Sequence, residues 1–384
     1  MLDITTQFQS QDKAIEKTRI VVAMSGGVDS SVVSALLSQA GYDVIGVTLK
    51  LYGGGAAGER RVGACCSMGD ANDARRVADK CGFPHYVLDY EDKFQKAVVD
   101  DFVNSYLKGE TPVPCIRCNQ KVKFQDMMHA ARDMDADYLV TGHYARCIAG
   151  ANGMELHRSL NDKKDQSYYL FTLTKDDLDF IRFPLGDYKD KSQIRDIAQA
   201  MQLETHNKPD SQDICFISGG KYTDFIKKIT GDQAVAEGNF VHYKDGRVLG
   251  RHKGIINYTV GQRKGIGLTD PMNREDALYV VKLDNTTNTV FLGTRECLSV
   301  DTANIKDINW IGDDDISLTG GTYDILVRVR SFATPVPAVV HVTQGKEGII
   351  HFYGHCSGIA PGQAAVFYDT EFQRVLGGGW LVSG

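Results

Sequence analysis

Arg19-Ile20-Val21-Val22-Ala23-Met24, followed by Ser25-Gly26-Gly27-Val28-Asp29-Ser30-Ser31, decides the fold. The first six residues are a short apolar, β-branched run bounded by charge, the pattern of a buried strand. Beyond the glycines, Val32, Val33, Leu36, Leu37 and Ala40 recur at helical spacing, and Gly41 stops the helix. The glycines therefore occupy a strand-to-helix turn. Gly26 and Gly27 leave backbone N–H groups open to an anion, and the helix N-terminus adds positive partial charge. Ser30 and Ser31 can cap the helix or donate hydroxyls to the same anion. A Walker loop is excluded, because no lysine follows these glycines at the G-x-x-x-x-G-K-[ST] position.

Outward from this turn, residues 44–52 read as a second strand. Residues 53–58 formally match G-x-G-x-x-G, but they follow the second strand and lead into Glu59-Arg60-Arg61, not an apolar helix. They read as a mobile loop beside the site. Residues 67–81 are helical, 86–90 a strand, 94–107 and 121–132 helices, and 136–140 a strand leading into Thr141-Gly142-His143-Tyr144. Strands alternating with helices predict an α/β, doubly wound parallel sheet, Rossmann-like in its winding, with ligands beyond the strand C-termini. From about Asn239 the pattern changes to short strands with tight turns at Asp245-Gly246 and Asp284-Asn285. Val327 and Val329 alternate with Arg328 and Arg330, so one strand face reads as cationic. The expected division is a flexible leader over 1–17, a catalytic domain over 18–220, a small central β-rich domain over 221–285 and a C-terminal β-barrel over 286–384.

A chain of 384 residues has ample length for several domains. Its net charge of −6 gives no bulk signal for nucleic acid, so RNA contact must come from local basic patches. No secretory signal and no run long enough to span a bilayer is visible, which predicts a cytoplasmic protein. Its nine cysteines are then mostly reduced thiols.

Cys115-Ile116-Arg117-Cys118 follows Thr111-Pro112-Val113-Pro114 and precedes a helix. Thiols at a helix N-terminus beside Arg117 and Lys121 are expected to be partly ionised. Cys215 lies far along the chain, within Asp213-Ile214-Cys215-Phe216-Ile217. C-x-x-C alone fits a redox pair, half a zinc site or cluster ligands, and nothing nearby completes a zinc site. Cys115, Cys118 and Cys215 could together hold an iron–sulfur cluster. Cys81, Cys147, Cys297 and Cys356 read as small buried hydrophobes.

The Ser25 turn resembles the pyrophosphate loop of ATP pyrophosphatases, which release pyrophosphate and transfer AMP. With Ala64-Cys65-Cys66-Ser67, Cys118-Asn119, Lys164-Asp165-Gln166-Ser167-Tyr168, the Cys215 box, Tyr258 through Gly265, and Ala360-Pro361-Gly362-Gln363, the chain resembles the tRNA-specific 2-thiouridylase family over nearly its whole length. The resemblance implies an ATP-dependent tRNA-uridine 2-sulfurtransferase. ATP and Mg2+ would adenylate C2–O of the wobble uridine in the tRNA anticodon stem-loop. Cys215 would carry sulfur as a persulfide, supplied by a sulfur-donor protein or cysteine desulfurase relay. Cys118 would be the nucleophile that releases it through a transient Cys118–Cys215 disulfide.

By the same resemblance, ATP would be bound by Ala23, Met24, Ser25, Gly26, Gly27, Val28, Asp29, Ser30, Leu49 and Gly142. Val113, Pro114 and Cys115 match the target-base loop, where the family commonly has Asn-Pro-Asp. Losing the Asp removes a carboxylate, and gaining Cys115 supplies the third thiol of a cluster, so persulfide and cluster routes both stay open. His143, Asp165, Gln166, Ser167, Arg330, Ser331 and Gln363 would contact tRNA, and Arg263-Lys264 could hold phosphate. An ATP-dependent amide ligase needs an ammonia source, but Leu2 stands where an N-terminal cysteine nucleophile would be, and the thiols would have no job. A redox or metal protein leaves the Ser25 turn unexplained, and a pure RNA-binding module explains neither.

Overall fold

In the computed structural model, residues 4–8, 13–52, 68–210, 214–217, 220–231, 236–268, 277–314, 320–343 and 345–382 are described. The expected loop at 53–58, the Cys65-Cys66 box and Asp213 lie outside them. β1 (Arg19–Ala23) is the middle strand, and its Ile20, Val21 and Val22 are fully buried. Such an unbroken apolar strand needs cover on both faces. β2 (Asp43–Lys50) and β3 (His85–Asp89) lie on one side of it, β4 (Tyr138–Thr141) and the short β7 (Ile181–Arg182) on the other. The order is β3-β2-β1-β4-β7, all parallel. Ile20 and Val22 pack with α1 (Val28–Gln39), α2 (Met68–Cys81) and α8 (Lys191–Ala200). Val21 faces the opposite cluster. This second layer holds α3 (Glu91–Phe94), α4 (Asp100–Leu107), α5 (Pro114–Cys118) and α6 (Gln125–Asp133). Wider, π-type turns over Gln95–Val99 and Asn119–Phe124 interrupt it, the second directly after Cys118. The sheet reverses its winding between β1 and β4, which opens a crevice at their C-terminal ends.

The leader departs from expectation. Ile4–Phe8 is a short helix whose Ile4 and Phe8 are buried, and Phe8 sits 5.5 Å from both the Tyr42 and Tyr138 rings. Gln7 donates to Asp187 and accepts from Arg182. Two apolar residues four apart make one helical contact, too few to register as periodicity.

After the hairpin β5 (Ala145–Gly150) and β6 (Gly153–Arg158), and α7 (Lys175–Phe180), the chain enters its second part through α9 (Tyr222–Thr230). There β8 (Gly238–His242), β9 (Val248–His252), β10 (Tyr279–Asp284) and β11 (Thr289–Gly293) form a sheet in the order β10-β11-β8-β9. A border at 285 would cut the β10–β11 hairpin, so the central sheet runs on through Gly293. Asp284 is the turn residue, accepting from Thr286 and Thr287.

The last part is a closed barrel of β12 (Ser299–Trp310), β13 (Gly321–Arg328), β14 (Val336–Val342), β15 (Gly348–Ser357), β16 (Ala364–Tyr368) and β17 (Val375–Leu381), in the order β12-β15-β14-β13-β16-β17. Closure removes exposed sheet edges. Ile325, Val327 and Val329 fill its interior.

The supposedly cationic outer face is a domain joint. Arg328 reaches Asp165 at 3.2 Å, and Arg158 reaches the same carboxylate at 3.0 Å. The Asp165 side chain is 1% exposed. Both guanidinium groups also stack on Phe372. Ser167, equally buried, bonds the Tyr368 hydroxyl. The Asp165 and Ser167 side chains therefore join the first part to the barrel. Asp165→Ala strands Arg328 and takes one of two carboxylates from Arg158, a loss of about 3–5 kcal/mol. Thermal unfolding should show a clearly lowered Tm; an unchanged Tm would contradict the joint.

Candidate nucleotide and thiol site

The crevice between β1 and β4 holds a cavity of about 270 Å³. Ala23, Met24, Ser25, Gly27, Val28, Asp29, Ser30, Leu49, Gly142 and His143 all line it. The turn has no slack. Gly26 has φ +69°, and a Cβ there would sit 2.2 Å from the Asp70 carbonyl oxygen. A Cβ at Gly142 would meet the Ser30 backbone nitrogen at 2.9 Å, so only glycine lets the end of β4 approach the start of α1. The Ser25 amide donates to Ser30 Oγ at 3.1 Å, and Ser31 Oγ donates to the Gly27 carbonyl at 2.7 Å. Leu49 is both core and cavity wall.

Charge surrounds the turn. Asp29 accepts from the Tyr144 hydroxyl at 2.9 Å and from Lys191 at 2.8 Å. Burial and the Asp29 carboxylate push the Tyr144 hydroxyl well above its usual range. Lys191 also binds Asp210 at 2.6 Å, which takes Lys164 at 2.8 Å and Arg195 at 3.0 Å. Burial disfavours the Asp210 charge, yet Lys164 and Lys191 hold its carboxyl at about 2. Lys208 donates to the Gly26 carbonyl at 2.9 Å and to Asp70 and Asp73 at 2.6 Å each. Sequence reasoning missed Lys191 and Lys208, because both reach the turn from remote segments with no local motif. Among the described residues, no group of three or more His, Cys, Asp or Glu side chains is arranged to hold a metal ion.

His143 accepts or donates at Thr141 Oγ1 (2.8 Å) and packs on Phe124 and Phe183. Burial, with Lys123 nearby, lowers its pKa from 6.5 to about 3, so it is neutral at physiological pH and brings no cation to RNA. The unfolded chain binds a proton there between pH 6.5 and 3 that the folded chain refuses. Stability should therefore fall with acid in that window, by at most about 1.4 kcal/mol per pH unit from this residue. Urea unfolding of His143→Asn should show a shallower pH slope than the parent; an identical slope would refute the burial argument.

Cys118 is buried in the apolar cluster against which Val113 and Cys215 pack, and Cys115 is exposed. Phe216 beside Cys215 packs on Phe94 and Phe102 at 5.8 and 5.3 Å. Both thiols thus draw on one layer. The helix-terminus reading fits Cys115, the second residue of α5, and needs correction for Cys118, which is its last. Arg117 turns its guanidinium onto the Trp380 ring, 3.8 Å from its centre, and away from the thiol-activating role expected of it.

The loop before α5 is clamped by the barrel. The Thr111 amide donates to the Pro361 carbonyl at 2.7 Å, and Gln363 donates to the Thr111 carbonyl at 3.0 Å. Gln363 is therefore a loop clamp. Tyr169 lies near Ser331 and Cys115, and burial raises its hydroxyl pKa. Arg330 donates to the Val260 carbonyl at 3.0 Å and lies against Gly261 and Gly358. It clips the central part to the barrel, while neighbouring Phe332 is 83% exposed. Gln166 lines the cavity and accepts from the Tyr144 amide at 2.8 Å. Arg263 and Lys264 are exposed.

Comparison with known proteins follows the same three parts. Residues 18–219 match the family described as tRNA methyl transferase HUP domain, 223–294 its PRC-barrel domain, and 300–381 the aminomethyltransferase beta-barrel domain. The chain is similar to proteins named tRNA-specific 2-thiouridylase MnmA. That of Parvibaculum lavamentivorans is 52% identical, covering 96% of this chain and 91% of the relative. That of Roseobacter denitrificans is 49% identical over 96% and 95%. That of Maricaulis maris is 51% identical over 95% and 87%. No helix among the described residues is long and apolar enough to cross a membrane.

Proposed function

The chain belongs to the tRNA-specific 2-thiouridylase family, and on that premise we propose that it uses ATP to replace the C2 oxygen of the tRNA wobble uridine with sulfur carried on Cys215. The observation that carries the proposal is the joining of two features: a strand-to-helix turn built for phosphate, and Cys118 and Cys215 drawing on the adjoining apolar layer.

The Gly26–Ser30 backbone amides receive the phosphates, with the start of α1 behind them. Magnesium arriving with the triphosphate would neutralise part of its charge. The uridine C2 oxygen attacks the α-phosphorus, pyrophosphate leaves, and the base N3 proton is lost. The outer persulfide sulfur on Cys215 then bonds to C2 and AMP departs. The Cys118 thiolate attacks Cys215 Sγ, the sulfur–sulfur bond breaks with its electron pair passing to the sulfur on C2, and a Cys118–Cys215 disulfide remains. A dithiol reductant from outside restores both thiols. A cysteine desulfurase or its relay protein supplies the next sulfur. Apolar walls suit this chemistry, since water would hydrolyse the adenylate. Val113, Pro114 and Cys115, held by Thr111, would face the target base, and Gln166 and Ser331 would approach the anticodon stem-loop.

The cluster route needs Cys115, Cys118 and Cys215 gathered around one metal, and no such set is present among the described residues. Cys115 is exposed while Cys118 is buried. Iron-free protein given ATP, Mg2+, unthiolated tRNA and a persulfide donor should therefore yield 2-thiouridine by nucleoside mass spectrometry. Unchanged wobble uridine in that reaction, restored by iron and sulfide, would favour the cluster.

A further inference from the structure

We propose that Lys191 and Lys164 form the subsite for the β- and γ-phosphates of ATP, which leave as pyrophosphate; the inference rests on the ATP reading above. A triphosphate is a dense polyanion, and the Ser25 turn offers it amides and hydroxyls but no side-chain cation. The cations come from elsewhere. Lys191 is the first residue of α8 and Lys164 precedes Asp165, yet both line the same cavity as the turn.

The carboxylates and cations around the turn are interlinked. Asp29, Asp70, Asp73 and Asp210 pair with Lys164, Lys191, Arg195 and Lys208, and Asp73 also with Arg76. These cations differ in what they touch. Lys208 holds the Gly26 carbonyl as well as two carboxylates, which engages three donors and makes it a positioning residue for the turn. Arg195 is anchored on the His206 and Lys208 carbonyls. Among the described residues, Lys191 and Lys164 bond carboxylates alone: Asp29 and Asp210 for the first, Asp210 for the second. Phosphate oxygens can take over such bonds like for like. Lys191 is the better placed, since it already touches Asp29 inside the turn and its side chain is 12% exposed.

In the adenylation step the oxygen–phosphorus bond from uridine forms as the bond between the α-phosphorus and its bridging oxygen breaks. The electron pair goes to pyrophosphate. Negative charge grows on that leaving group, so ammonium groups held against it act on the transition state more than on bound ATP. The two lysines therefore govern leaving-group departure, while AMP, which lacks both outer phosphates, is indifferent to them.

The test uses the full-length protein with Lys191→Gln, Lys164→Gln and Lys191→Arg, and calorimetric titration with ATP, AMP and inorganic pyrophosphate. Lys191→Gln should weaken ATP and pyrophosphate by about 10- to 100-fold, the scale of a lost charged hydrogen bond, and leave AMP within about threefold. Lys164→Gln should move the same two ligands, and Lys191→Arg should recover most of the loss. Pyrophosphate release in the presence of tRNA should slow by about 10²-fold or more in Lys191→Gln. Equal weakening of AMP and ATP would overturn the inference in favour of a structural role, as would unchanged ATP binding. Parent protein that binds neither ATP nor AMP would instead overturn the ATP reading itself.

Discussion

Cys215→Ser should release pyrophosphate on mixing with ATP and tRNA yet form no 2-thiouridine, a loss of at least about 10³-fold in product, as expected when a covalent carrier is removed. Cys118→Ser should fail later. Its Cys215 persulfide can still bond to C2, but nothing displaces Cys215 Sγ, so a protein–tRNA adduct should accumulate. The two variants separate the roles because Cys215 lies on the 214–217 segment, packed through Phe216, whereas Cys118 is fixed at the end of α5. Denaturing gels and nucleoside mass spectrometry read both results. Thiolation at the parent rate in either variant would remove that residue from the mechanism.

Gly26→Ala carries the second large effect. The new Cβ would stand 2.2 Å from the Asp70 carbonyl oxygen, and the residue must hold φ +69°. Backbone cannot retreat as a flexible side chain would, so the turn must open. The Gly26 carbonyl would then lose its grip on Lys208, which ties the turn to Asp70 and Asp73. With the amides misaimed, ATP-dependent pyrophosphate release should fall by about 10²–10³-fold, the cost of a lost oxyanion donor. Binding of tRNA, measured without ATP, should stay near the parent value. A variant with parent pyrophosphate release would show that the turn does not hold the triphosphate.

The strand, turn and helix at residues 19–39 are legible because local pattern and tertiary role coincide there. A buried strand must be apolar, and a phosphate turn must be glycine-rich. β13, β14 and β15 are legible because buried and more exposed residues alternate along them, whereas β16 and β17 are apolar runs buried almost throughout. What escapes is anything decided by distant partners. The alternation of Val327 and Val329 with Arg328 looks the same whether Arg328 meets water or, as here, Asp165 and Phe372. Arg330 and Gln363 read as RNA contacts, yet each donates a side-chain hydrogen bond to a backbone carbonyl of another part of the chain. Lys191 and Lys208 carry no motif, because a single ammonium needs only a position, and that position is set by the docking of α8 and residues 208–210. The Asp284 turn is legible as a turn but not as the middle of the central sheet, since β11 completes that sheet by pairing in parallel with β8, far back in the chain.

Everything turns on whether sulfur passes between Cys215 and Cys118 beside the activated base. The most direct measurement is a single turnover without reductant, using protein charged with persulfide on Cys215, ATP and unthiolated tRNA, followed by alkylation and peptide mass spectrometry. The account predicts one Cys118–Cys215 disulfide for each 2-thiouridine formed, with Cys115 alkylated. Thiolated tRNA accompanied by alkylated Cys118 and Cys215, or by a disulfide through Cys115, would contradict it.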